Sequence, residues 1–417
     1  MKRCVVGKCV VMTGFHFPPS ALSSGHLRLL AFTKYLPEHG WDPVVLSATP
    51  GAYELTDPAS VRSIPKDCNV CRAFALDAKR HMAVMGRYPT IFAFPDRWSS
   101  WWPAAVWNGL RLIRRHHAQA IWSTFPIMTS HCVAYTLHRL TNIPWIADFR
   151  DPVASSTAGK NPMAIRSQAR WERRVLSHAA RSVFTTPGAM QWCAERYPEA
   201  WRAGRLAVIT NGYDDEAFVD LRRPPPQAGR PLVLLHSGLL YPEGRSPLPF
   251  FAALARLRDS GGVTAGMVKV VLRASGSEAT YTREVQRLGL GEMVTLAPPV
   301  GNREALSEQV AADGLLLFQG SKFDLQIPAK VYEYLRIGRP IFALVGPNGD
   351  TAALLRESGG AEFVAADDVD AIATGLRRFL YALTKGTAPS QRPAVVAQYS
   401  RRAGAAQLAS LLEQVCT

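Results

Sequence analysis

Lys330 and Glu333 stand three residues apart, close behind Pro328, in the run Ile327-Pro328-Ala329-Lys330-Val331-Tyr332-Glu333. A proline near a helix start puts both side chains on the first turns, where unpaired amides and the helix dipole favour an anion. A lysine there suits a phosphate, and a carboxylate can accept the two hydroxyls of a ribose. A second group, Asp148, Arg150 and Asp151, follows the apolar run Trp145-Ile146-Ala147. If that run is a strand, the three charges lie at its carboxyl end, where α/β sheets bind ligands. One carboxylate could then orient an incoming hydroxyl and Arg150 contact a phosphate; an Asp–Arg ion pair fixing a loop fits the same residues. His16 could be a base beside the first loop or a packed ring.

The elements that would position these groups follow a βα rhythm. Short apolar runs at residues 9–14, 43–46, 120–123, 144–147, 182–184 and 206–209 alternate with amphipathic stretches, among them one with Leu27, Leu30, Ala31 and Tyr35 on one face. Residues 222–229 contain Pro224-Pro225-Pro226, which joins neither helix nor sheet interior and reads as a linker. The rhythm restarts at residues 232–235 and continues through 268–272, 294–296, 314–318, 340–345 and 362–364. The pattern predicts an α/β protein of two Rossmann-like doubly wound domains facing across a cleft. Residues 1–218 form the first and 231–395 the second, with 219–230 between them. Residues 396–417 form a C-terminal helix that needs a surface to pack on and could cross back to the first domain.

Composition limits the partners. The 417 residues carry 48 Lys and Arg against 33 Asp and Glu, a formal charge of +15, mostly before residue 218. With 47% hydrophobic and 19% charged residues this is a folded chain, so the charge belongs to a folded surface that attracts anions. No recognisable nucleic-acid module accompanies it. No apolar run reaches the ~20 residues of a membrane span. Met1-Lys2-Arg3 imitates a signal peptide, but Gly7-Lys8 breaks the apolar run that follows, so a cytoplasmic location is expected. The seven cysteines are scattered, and Cys68-Asn69-Val70-Cys71 lacks a second pair, which predicts reduced thiols. No cluster has metal-ligand spacing, so no metal and no cofactor are expected.

The segment around Lys330 resembles the nucleotide-sugar-binding signature of GT-B glycosyltransferases, particularly the retaining family 4 (group 1), and the resemblance extends over nearly the whole chain. Asn211-Gly212-Tyr213-Asp214 with Phe218 is similar to the family's N-G-x-D-x-x-x-F segment. His236-Ser237-Gly238 with Arg245 is similar to the start of the donor domain, where a basic side chain holds the diphosphate. Pro18-Pro19 with Ser24, Gly25 and Arg28 resembles the loop that faces acceptor and donor phosphate. Asn348-Gly349-Asp350 fits the helix after the next donor-domain strand. Asp148-Phe149-Arg150-Asp151-Pro152 resembles the D-x-R-D-P block of enzymes that build bacterial surface polysaccharides. The chain departs from the family in two places. The position eight before Glu333, where the family has a glutamate, is Leu325 beside Asp324, and Leu239 stands where an arginine usually follows the glycine.

The resemblance implies metal-independent transfer of a sugar from a UDP- or GDP-sugar to a saccharide or lipid-linked acceptor in polysaccharide biosynthesis. Gly238, Arg245, Pro328, Lys330 and Glu333 would bind the donor, Asp148, Arg150 and Asp151 would be catalytic, and Ser24, Gly25 and Arg28 would form a phosphate loop. Gly25 and Gly238 read equally well as turn glycines. A nucleotide-sugar epimerase of the same fold, or a non-catalytic subunit partnering another transferase, are the alternative readings. Trp98, Trp101, Trp102 and Trp107 before Arg111, Arg114 and Arg115 suit either an anionic membrane interface or the packed interior. With the N-terminal charge excess they predict a peripheral contact on the inner face of the cell membrane.

Overall fold

Strands buried on both faces are written as continuous apolar runs, and their alternating side chains feed two separate cores. The computed structural model describes residues 7–21, 25–82, 94–153, 162–225 and 229–417. Strands β1 (Lys8–Thr13), β2 (Trp41–Ala48), β3 (Asn69–Ala73), β4 (Ala120–Thr124), β5 (Trp145–Arg150), β6 (Arg181–Phe184) and β7 (Leu206–Val208) form one sheet. Its order is β3-β2-β1-β4-β5-β6-β7, parallel throughout. On β1 the alternation is direct. Val10 and Met12 face a core with Leu29 and Phe32 of helix Gly25–Tyr35, while Cys9 and Val11 face Trp101, Ile113 and Leu137 of helices Trp101–His116 and Met128–Thr141.

A second sheet repeats the plan with β8 (Leu232–Ser237), β9 (Val268–Arg273), β10 (Val294–Ala297), β11 (Gly314–Gln319), β12 (Ile341–Val345) and β13 (Ala361–Val364), in the order β10-β9-β8-β11-β12-β13. Leu316 and Phe318 of β11 face Phe250, Phe251 and Phe379, while Leu315 and Leu317 face Val331, Tyr334 and Leu355. In both sheets the order reverses between the first and fourth strands. That makes a switch point between β1 and β4 and another between β8 and β11, where the helices part and leave a crevice at the carboxyl ends.

The chain divides into Met1–Asn211 with Arg401–Thr417, and Gly212–Ser400. The crossing therefore falls before residue 218 and not in the proline-rich stretch. Tyr213 explains this: it is buried in the second core, and its amide donates to the Tyr399 carbonyl at 3.2 Å. Arg336 pins the rest of that segment, with its Nε 2.7 Å from Asp215 Oδ1 and its guanidinium over the Tyr213 and Phe218 rings.

Helix Arg401–Cys416 belongs to the first unit. Leu408 and Leu412 are fully buried against the sheet, worth about 2 kcal/mol each by area removed from water. Glu413 fixes its register by pairing with Lys8 and accepting from Trp41 Nε1 at 2.9 Å.

Candidate active site

In the second unit, β8 delivers His236, Ser237 and Gly238 to the switch point, and helix Ala329–Ile337 enters beside them with Pro328 as its N-cap. Pro328 holds extended backbone (φ −62°, ψ 139°) and offers no side-chain cap, so the amides of the first turn are left to other partners. Lys330 Nζ lies 2.9 Å from His236 Nε2. His236 Nδ1 lies 2.9 Å from the Leu316 carbonyl and Nε2 lies 3.0 Å from the Gly238 carbonyl, so the neutral ring can donate to one of the two, and Lys330 meets it on the Nε2 side. Burial first, then the Lys330 charge, holds His236 well below the ordinary histidine range, so the ring stays neutral. A neutral imidazole in place of a carboxylate thus aims the lysine without neutralising it.

Lys330 itself is lowered to about 7, by burial first and then by the Arg245 charge, with Glu333 acting the other way. Gly238 makes room for it. At φ +104° it sits where side chains are strained, and a Cβ there would lie 3.1 Å from Lys330 Nζ. Its amide donates to the Arg273 carbonyl, so its contribution is space and chain direction. Arg245 comes from the loop after β8. Its Nε donates to Gln319 Oε1 at 2.7 Å, and its guanidinium lies over the Phe323 ring at 4.5 Å. It lines a cavity of about 280 Å³ with Gln319, Gly346 and Pro347, at the carboxyl ends of β11 and β12. Gly238, Arg245, Pro328, Lys330 and Glu333 are thus brought to one end of one sheet. The Lys330 and Arg245 charges lie close enough there to repel one another, an arrangement that an anion would relieve.

The two departures from the family pattern have plain surroundings. The Asp324 carboxylate packs against Gly346 and Gly349, where a Cβ on either would collide with it. Burial, then Asp350, raises its pKa. Leu239 is exposed and supplies no charge.

In the first unit, Asp148 ends as a buried anchor. Its carboxylate is fully buried and takes Arg28 Nε at 2.8 Å, Arg28 Nη2 at 3.1 Å and Thr124 Oγ1 at 3.2 Å. Arg28 completes its set with the Ile209 and Thr210 carbonyls at 2.9 and 2.8 Å. Asp148, expected to be catalytic, and Arg28, expected in a phosphate loop, thus meet each other, with Arg28 also reaching the chain end at residues 209–210. Gly25 only opens helix Gly25–Tyr35, and Ser24 lies outside the described residues.

Arg150 and Asp151 differ from Asp148. Arg150 sits at φ +64°, beyond a register shift in β5, and its Nε has no hydrogen-bond partner among the described residues. Such strain and an unsatisfied buried donor mark functional positions more often than inert ones. Burial raises the Asp151 carboxyl above its usual range, opposed by Arg150.

His16 is a packed ring. Its Nδ1 lies 3.0 Å from Ser20 Oγ, and burial lowers it to about 4. Trp98, Trp101 and Trp102 join the core, and of the four tryptophans only Trp107 is largely exposed, at 59%. Cys68 and Cys71 are free thiols, raised by burial, Cys68 to about 11. Sequence reasoning missed His236 as a working residue. Its signal was a single imidazole closing the apolar run 232–235.

Two doubly wound domains of this strand order, one carrying a cationic switch point, define the GT-B class. Solved structures agree. HepE of Anabaena in complex with UDP aligns over 98% of this chain and 100% of its own with a TM-score of 0.65 at 14% identity. Sucrose-phosphate synthase of Thermosynechococcus elongatus gives 98% of each chain, 0.63 and 16%. The lipopolysaccharide outer core galactosyltransferase WaaB gives 97% and 99%, 0.60 and 12%. Residues 26–212 match the family described as glycosyl transferase 4-like domain, so the first unit carries that domain. No curated protein sequence matches.

Proposed function

We propose that the protein is a retaining, metal-independent glycosyltransferase that moves a sugar from a nucleotide diphosphate sugar, UDP-linked by preference, to a lipid-linked saccharide. The observation that carries this is the Lys330 amine aimed by His236 over Gly238 at a helix N-terminus, with Arg245 beside it. The bond from the sugar C1 to the diphosphate oxygen breaks, and negative charge gathers on the diphosphate. Lys330 and Arg245 stabilise that charge in the transition state more than in the ground state. The acceptor oxygen forms the new bond to C1 on the face the diphosphate leaves, and its proton passes to the departing diphosphate. Glu333 is assigned to the ribose hydroxyls. Arg150, whose Nε has no hydrogen-bond partner among the described residues, and Asp151 beside it are assigned to the acceptor. HepE was solved with UDP and with UDP-glucose, which favours uridine here.

The test is to incubate purified protein with radiolabelled UDP- and GDP-sugars and a bacterial lipid extract, with and without EDTA. EDTA-resistant transfer of label into the lipid fraction is expected. Absence of both transfer and donor binding with every sugar would sink the proposal.

A further inference from the structure

Helix Pro162–His178 in the first unit carries Arg166, Arg170, Arg173 and Arg174. The spacings of four, seven and eight residues put all four on one stripe. Two pairs, 166 with 170 and 170 with 174, are like charges at i,i+4, which oppose helix formation. Nothing on the helix offsets them. It has no acidic residue in its first turn, and its sole carboxylate, Glu172, is buried on the other side and accepts from Tyr197 Oη at 2.8 Å. The stripe lines a groove of about 1120 Å³ that Arg196 and Met163 share and to which no Asp or Glu contributes. Among the described residues, none of Arg166, Arg170 and Arg173 forms an ion pair.

Two of these cations are held in place by rings. Arg174 lies over Trp171 at 4.7 Å and Tyr135 at 5.7 Å, and Arg196 lies over Trp192 at 5.2 Å. At the N-terminal end of the same helix Met163 and Ile165 are 55% and 37% exposed. A row of unneutralised guanidinium groups ending in exposed apolar side chains is the make-up of a helix that lies in a membrane interface, with cations at phosphate depth and apolar groups below. A single-stranded nucleic acid would need exposed rings for base stacking, but Trp171 and Tyr135 are covered by Arg174.

We propose that the groove along helix Pro162–His178 is the face by which the first unit docks on a bilayer of anionic phospholipids, rather than the Trp107–Arg115 stretch the sequence pointed to. On helix Trp101–His116, Trp101 is in the core and Trp102 packs against it, and the one exposed ring, Trp107, is covered by the Arg111 guanidinium at 4.7 Å. Docking goes beyond the proposed transfer and is measured without donor or acceptor, so either can fail alone.

Co-sedimentation with vesicles of phosphatidylcholine, and of phosphatidylcholine with one third phosphatidylglycerol, tests the proposal. Binding is expected to the second only, and it should fall with added salt. The triple variant R166A/R170A/R173A should bind about a hundredfold more weakly, at roughly fivefold per lost charge near the surface. Its thermal midpoint should be no lower than that of the parent, because repulsion has been removed. R111A/R114A/R115A should lose less than about threefold. Undiminished vesicle binding by the first triple variant, an equal loss in the second, or tighter binding to an oligonucleotide than to the anionic vesicles would each overturn it.

Discussion

Donor affinity should fall as the pH rises through 7, because the cation that meets the diphosphate is half-neutral there. Lys330 in the free protein sits at about 7, depressed by burial and by Arg245. A bound diphosphate supplies the opposite charge that site lacks, and it draws the lysine back toward its ordinary value. Binding then takes up a proton wherever free Lys330 is neutral. Between pH 6.5 and 8.5 the protonated fraction of a group at 7 drops about 25-fold, which is about 1.9 kcal/mol of affinity. His236, the ring against the amine, does not titrate in that window, being held neutral. A nucleotide sugar is a diphosphate diester and does not titrate there either.

Calorimetry of UDP-glucose binding at pH 6.5, 7.5 and 8.5, in buffers of different ionisation enthalpy, reads both affinity and proton uptake. Uptake should approach one proton at the highest pH. K330R, permanently charged, should bind with little pH dependence, and K330M weakly at every pH. The ligand-free protein should respond with the opposite sign. Its unfolded state keeps the lysine proton up to the ordinary pKa while the native state releases it near 7, so this group adds stability as the pH rises. Flat affinity from pH 6.5 to 8.5 with no proton uptake would refute the assignment of Lys330 to the diphosphate.

Two further outcomes separate the donor crevice from the anchor in the first unit. G238A should weaken UDP-glucose binding at least about tenfold, since a side chain at φ +104° costs ~1–3 kcal/mol and its Cβ displaces the Lys330 amine; an unchanged dissociation constant would show that the close approach is incidental. D148A should lower stability to denaturant by about 3 kcal/mol, the low end for a broken buried pair because Arg28 keeps its two carbonyls. It should leave donor affinity within about twofold; a stability loss below about 1 kcal/mol would return Asp148 to the candidates for catalysis.

The contrast between these two sites also says what a sequence can disclose. The strands were legible because parallel strands need continuous apolar runs, and residues 232–235 and 314–318 obey that need wherever they pair. Lys330 and Glu333 were legible because their placement depends on one local feature, the helix start at Pro328. Asp148 and Arg28 were not. They are 120 positions apart in sequence, and whether a carboxylate at a strand end meets a ligand or an arginine is decided by which helix packs over it. His236 was missed for the same reason: it meets Lys330 across 94 positions, and its ring is fixed by the Leu316 carbonyl on the neighbouring strand. The tryptophans of residues 98–102 were ambiguous, since a helical stripe of large rings looks alike in a core and at an interface. What separates the two is the partner face, and helix Met128–Thr141 supplies it here by accepting Trp102 Nε1 at Thr136 Oγ1, 3.0 Å away. Charge that no partner face can neutralise is the complementary signal. By that measure the arginines of residues 166–174 were as visible in the sequence as Lys330, and only their clustering along one groove had to wait for the fold.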